Sequence, residues 1–300
     1  MTTPIVQAKA LLHSVPYTKA LADCVVGYPD HDQSYWTAPR VASSLAESFS
    51  YQVAIDGLWL PDRSDLGFGS SFERKKVQIT DEDAVPLGAS KYRGLPHLPR
   101  DMPWPEGLYF CAQLDLDELA RVDRSERLPK EGMLYFFYDG GVEAQVIHWS
   151  GPVEQLERRP YPDLSTLPDA EYYYERFRVG ERIQFNPHWL LVYNEGELYD
   201  HSEIRALLPA ELVDAVSQAL GAPLASFDCM RRIYGRRFDF QEQFEFEDLD
   251  EEGEPIFDDP ENRVVLLHDQ LGDAAIHLWC SPEAAARGDF SGVRVTTSCT

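Results

Sequence analysis

The stretch GLPHLPRDMPWPEGLYFCAQLDLDEL, residues 94–119, decides the fold class. Its first half sets Pro96, Pro99, Pro103 and Pro105 around Trp104, and proline fixes φ and donates no backbone hydrogen bond, so this half is a loop. The second half places apolar residues at 108, 110, 112, 114 and 116, an alternation that predicts a half-buried strand, with Asp115 or Asp117 capping a short helix after it. The same grammar recurs in LPKEGMLYFFYDGG (128–141), with EAQVIHWSG (143–151) as hairpin partner. Connections this short and turn-rich predict antiparallel pairing, because parallel strands need long crossovers.

Working outward, ERKKVQIT (73–80) is a further expected strand. Apolar residues at mixed three and four spacing over 5–26 and 40–54, interrupted by Pro16, predict two or three short helices. Pro61, Gly67 and Gly69 in LWLPDRSDLGFGSSF (58–72) end that pattern. The expected division is a mostly helical N-terminal segment, 1–70, packed on a main domain, 71–300. In the latter, SEIRALLPAELVDAVSQALGAP (202–223) is the clearest helix, with Ser202 as cap, Pro209 opening a second segment and Gly221 as stop. RVVLLHDQL (263–271) and AAIHLWC (274–280) are strands, and SPEAAARGDF (281–290) is a short capped helix. This late unit echoes the early one, and Cys111 and Cys280 take similar places in the two. The expected fold is α+β: mainly antiparallel sheets in two loosely related halves with peripheral helices.

Charge narrows the function. With 51 acidic and 27 basic residues the formal net charge is -24, a field that repels phosphate backbones and anionic membrane surfaces. No nucleic acid and no membrane are expected as partners; a basic protein partner, a cation or plain solubility remain. The first thirty residues lack a basic start and apolar core, and no run of eighteen apolar residues occurs. Five cysteines without C-x-x-C spacing argue against a disulfide framework and a zinc site, so a cytoplasmic location is expected.

DFQEQFEFEDLDEEGEPIFDDPE (239–261) holds twelve acids and no base. Asp248, Asp250, Glu252, Gly253 and Asp259 fall at positions one, three, five, six and twelve of a calcium loop. Glu at five, Pro255 at eight and Asp at twelve depart from that pattern, and no metal is assigned. The remaining readings are a solvated loop and a partner-docking surface made of Glu247, Asp248, Asp250, Glu251, Glu252, Glu254, Asp258 and Asp259.

Catalytic patterns are thin. G-x-x-x-x-G-K-[ST], G-x-S-x-G and H-E-x-x-H are all missing, and GFGSSF lacks the third glycine of a dinucleotide fingerprint. None of the eight histidines forms an i, i+4 pair; His268 and His277, on adjacent strands, are the one pair placed to meet, near Asp269, as a metal or acid–base site or as structural residues. No cofactor is implied. Pro96-x-x-Pro99 is compatible with a polyproline ligand, but the loop runs directly into an apolar strand, which favours a folded loop with Trp104 as a plug whose indole N–H needs a partner.

SKYRGLPHLPRDMPWPEGLYFCAQLDLDELA followed by LPKEGMLYFFYD resembles the signature of the YwqG-like family, with Ser90, Lys91, Gly94, Pro96, Pro99, Trp104, Pro105 and Gln113 at the matching positions. The closing LWCSPEAAARGDFSGVRVTTSC is similar to that family's last strand, helix and Asp-Phe turn. The sequence departs from the pattern at Arg93, where glycine is usual, at LLHDQ (266–270), and at Gly272-Asp273. The resemblance implies an α+β bacterial domain, largely uncharacterised, some of whose members have a genomic setting like that of immunity partners of secreted toxins. The favoured expectation is a non-catalytic intracellular binding module, with an immunity-type inhibitor of a basic toxin or effector as its specific form. An enzyme with a pocket in the main domain and a cation or small-molecule sensor are the alternatives.

Overall fold

The fold is described by a computed structural model for residues 3–14, 49–57, 59–60, 75–76, 79, 81–141, 143–167, 169–170, 174, 177–191, 206–225, 231–235, 263–271 and 274–299. In chain order the strands are β1 (Phe49–Gly57), β2 (Trp59–Leu60), β3 (Lys75–Lys76), β4 (Lys91–Tyr92), β5 (His97–Pro99), β6 (Tyr109–Asp115) and β7 (Met133–Tyr138). They continue as β8 (Ala144–Trp149), β9 (Leu156–Arg158), β10 (Glu181–Leu191), β11 (Arg232–Tyr234), β12 (Val264–Leu271), β13 (Ala274–Cys280) and β14 (Arg294–Cys299). The helices are α1 (Pro4–Leu12), α2 (Leu116–Ala120), α3 (Ala210–Leu220) and α4 (Pro282–Arg287).

Ten strands form one sheet in the order β14-β13-β12-β11-β1-β10-β4-β6-β7-β8, nearly closed and barrel-like; β2-β3 and β5-β9 are separate pairs. Every ladder is antiparallel. The two ends of the sheet approach each other where His148 of β8 meets the Phe290 ring edge-on at 6.2 Å, just before β14. One continuous apolar cluster, with Val53, Tyr109, Leu114, Phe136, Ile183, Leu266 and Leu278, fills the inside.

The reading of 40–54 as helix is corrected over 49–54. β1 is a strand near the middle of the sheet, in register with β10 from Phe49↔Leu191 to Gly57↔Ile183. Its buried residues Val53 and Ile55 are two apart and both face the inner cluster, a period of two that outweighs the helical spacing upstream. The boundary expected near residue 70 lies outside the described residues, as does Ser202.

β6 is also corrected: it is buried on both faces, with only Asp115 partly exposed. An irregularity between Phe110 and Ala112 explains the misleading alternation. Leu108 and Phe110 join a second cluster with Leu98, Met133, Tyr135 and Phe137, whereas Ala112 and Leu114 join the inner one. Apolar residues that alternate through a bulge do not share a face.

Two local units are alike. β6 ends on Asp115, which accepts N–H bonds from Asp117 (3.0 Å) and Glu118 (3.4 Å), enters α2 and returns as β7 beside β6. β13 ends at Cys280, and the next residue, Ser281, accepts from Ala284 N–H (3.2 Å) as the chain enters α4 and returns as β14 beside β13. Matched through these caps, Cys280 corresponds to Leu114 and not to Cys111. Gly221, in the left-handed conformation, ends α3, and α1 packs against α3.

Candidate functional site

A cleft of about 540 Å³ opens between the 86–89 turn, the β6–α2 junction, the start of β7 and the loop after β8. Its lining carries four carboxylates: Asp115, Asp117 and Glu118 from the β6–α2 junction, and Glu131 from the turn before β7. Leu87 and Val153, 36% and 45% exposed, also line it. Burial raises the Asp115 carboxyl above its usual range, partly offset by the Glu118 and Asp117 backbone bonds.

The backing of this cleft is built from the 90–113 block. Ser90 Oγ accepts the Asp115 N–H at 2.9 Å. Gln113, fully buried, donates Nε2 to the Ala89 carbonyl (2.8 Å) and accepts the His97 N–H on Oε1 (2.7 Å). His97 Nδ1 accepts the Gly88 N–H at 3.1 Å, which assigns the ring proton to Nε2. Burial, then the positive charges of Lys91 and Arg158, pull the His97 pKa down to about 3, so this imidazole is neutral. Ser90 and Gln113 thus hold the main chain of residues that line the cleft without lining it themselves.

The rest of the block closes a neighbouring turn. Lys91, buried, donates Nζ to Glu82 Oε2 and to the Leu95 carbonyl (2.8 Å), while Glu82 Oε1 accepts the Leu95 N–H (3.0 Å). Burial lowers the Lys91 pKa against the opposing pull of Glu82. Gly94 has φ +71, and a Cβ there would stand 2.1 Å from Glu82 Oε1 and 2.9 Å from Gly180 Cα. Pro96 and Pro99 are buried; the Pro96 carbonyl accepts the Arg159 N–H at 2.9 Å, and Pro99 pairs with Leu156. Trp104 donates Nε1–H to the Leu108 carbonyl (2.8 Å) and packs on Phe137 and Tyr161, with buried Pro105 beside it. The proline loop is folded structure.

Two of the departures from the YwqG-like pattern meet. Arg93 (φ +53) points its guanidinium at Asp269, 3.6 Å away, and over the Phe177 ring. Asp269 also takes Arg231 Nε at 3.0 Å; Arg231 reaches Glu181 at 2.7 Å and lies over Tyr92. Gly272 and Asp273 lie outside the described residues.

His268 and His277 do meet, as a cross-strand pair with ring centroids 4.3 Å apart. Asp269 does not join them: it pairs with Arg93 and Arg231. Burial, then Arg232 and His277, hold His268 well below its usual pKa. Among the described residues no group of three or more His, Cys, Asp or Glu is arranged to hold a metal ion. Cys111 and Cys280 are buried, and burial pushes both thiols up, Cys280 to about 12, which suits packing and not nucleophilic chemistry. The acidic run with Glu247, Asp248, Asp250, Glu251, Glu252, Glu254, Asp258 and Asp259 lies outside the described residues.

Sequence reasoning treated Asp115 and Asp117 only as caps and passed over Glu118 and Glu131. The local signal was the acid-rich DLDE at 115–118; nothing local ties Glu131, Leu87 or Val153 to it.

Residues 90–159 match the model of a domain of unknown function, DUF1963, and this span contains the whole signature block and all of the cleft lining except the 86–89 turn. No curated protein matches the chain.

Proposed function

We propose that this chain is a non-catalytic binding protein that takes a basic group of a protein partner into the acidic cleft. The observation that carries the reading is the lining itself: Asp117, Glu118 and Glu131 beside exposed Leu87 and Val153. Carboxylates next to apolar surface suit a lysine or arginine side chain, whose stem is apolar and whose head is charged. The net charge of -24 adds long-range attraction for such a partner, and the 239–261 run would extend it. Inhibition of a basic toxin or effector, as an immunity-type protein, is the form of this activity that we favour. We favour a YwqG-like assignment on the 90–113 signature, and a plan of two loosely related halves on the β6–α2–β7 and β13–α4–β14 units.

The test is affinity capture at low and high salt with wild type and an Asp117→Asn/Glu118→Gln/Glu131→Gln variant. A basic protein held at low salt, released at high salt and lost with the variant supports the reading; equal retention by the variant overturns the cleft as its seat. A second variant with serine at Asp248, Asp250, Glu251 and Glu252 separates the contribution of the acidic run.

A further inference from the structure

A second cavity, of about 200 Å³, has the opposite character. It lies where the 122–127 loop meets β1, β10 and the end of α3, and its lining includes Tyr51, Trp189, Pro187, Leu220, Arg124 and Arg127, with no acidic side chain. In a chain with 51 acids against 27 bases, a lining with two arginines and no acidic side chain stands out, although Asp123 lies behind it against Tyr51.

The acids of this loop are bonded to groups other than these arginines. Asp123 accepts the Tyr234 hydroxyl on Oδ2 (2.7 Å) and the Ser125 N–H on Oδ1 (2.8 Å). Glu126, at φ +56, pairs with Lys130 at 2.7 Å. Among the described residues neither Arg124 nor Arg127 is ion-paired with a carboxylate. Arg127 lies over the Tyr234 ring at 5.8 Å, and the Arg124 backbone N–H donates to the Tyr51 hydroxyl at 3.4 Å. Behind them the rings of Tyr51 and Trp189 stand 5.2 Å apart, tilted by 58°, and both are partly exposed.

We infer that this cavity is a binding site for a small planar aromatic carboxylate, its ring against Tyr51 and Trp189 and its carboxylate on Arg124 and Arg127. Aromatic walls favour offset or edge contacts with a ring, and guanidinium groups match a carboxylate with paired N–H donors. The volume is below the range usual for drug-sized ligands, which limits the occupant to one or two fused rings. This site is separate from the acidic cleft and selects the opposite charge.

The experiment is titration calorimetry of the full chain with indole-3-carboxylate and, as a neutral match, indole-3-carboxamide. The acid is expected to bind at least about tenfold more tightly than the amide, as loss of a charge-assisted pair implies. Arg124→Gln and Arg127→Gln, both at exposed positions, should bring the acid to the level of the amide, and Trp189→Leu should weaken both ligands. Equal binding of acid and amide, no binding of either, or indifference of the acid to both arginine variants would overturn the assignment. The Asp117→Asn/Glu118→Gln/Glu131→Gln variant should bind the acid as wild type does, so this site and the cleft stand or fall separately.

Discussion

The guanidinium of Arg93 and the carboxylate of Asp269 lie 3.6 Å apart, joining the residue just after β4 to β12. Arg93 holds a left-handed conformation that glycine adopts at no cost. Arg93→Gly therefore relieves strain while losing an ion pair and a contact with Phe177, and we expect a net change within about 1 kcal/mol. Asp269→Ala removes the carboxylate that faces both Arg93 and Arg231 and should cost about 3 kcal/mol. Urea unfolding of the two variants checks this; equal costs would refute the account.

Gly94 and Gly107 share nearly the same φ, +71 and +72, in different surroundings. A Cβ on Gly107 meets nothing within 4 Å, whereas one on Gly94 collides with Glu82 and Gly180. Gly107→Ala should cost about 1 kcal/mol, the backbone effect alone. Gly94→Ala should cost at least about 2 kcal/mol more, because the collision displaces Glu82 from buried Lys91. The difference in urea midpoints isolates the close approach from the backbone preference.

His97 gives acid sensitivity. Its folded pKa is about 3 against 6.5 for the free side chain, so between these values the unfolded chain binds the extra proton and stability falls as pH falls. The contribution is complete above about pH 6.5 and declines by up to about 1.4 kcal/mol per pH unit below it. His268, also depressed by burial, acts in the same direction. Denaturation at about pH 6.5 and about pH 5 should show the slope, and His97→Gln should reduce it by one proton. An unchanged slope would show that His97 is not the group responsible.

Gln113 connects the backing to the cleft. Gln113→Leu leaves the Ala89 carbonyl and the His97 N–H without their partners and should cost about 2–3 kcal/mol. It should also weaken capture of a basic partner, although Gln113 does not line the cleft. Capture unchanged in a folded Gln113→Leu protein would separate the block from the cleft.

Legibility from sequence followed the range of the interactions involved. The β7–β8 hairpin, α3 with its Gly221 stop and the Ser281-capped α4 depend on neighbours in the chain, and local pattern found them. β10 was not read from the sequence, and Pro187 within it argues against a central strand. Among the described residues, β4 pairs with residues 181 and 182 and the 223–225 segment bonds at Trp189, which places no ladder partner beside Pro187 on that side. β6 was found but its faces were misassigned, since a bulge changes which side a residue takes without changing its spacing in sequence. The cleft was hidden for a different reason: Leu87, Glu118, Glu131 and Val153 come from four separate segments of the chain.

The place of β1 in the sheet sets a schedule for synthesis. Its two neighbours are β10 and β11, so Phe49–Gly57 emerges from the ribosome long before either partner exists. At bacterial or eukaryotic elongation rates that wait is on the order of ten seconds, with an apolar strand exposed on both edges. The β4–β9 region can pair within itself meanwhile, but the sheet is joined into one only when residues 181–191 arrive. Until residues 181–191 have been made, β1 in a nascent chain therefore has neither of its sheet neighbours.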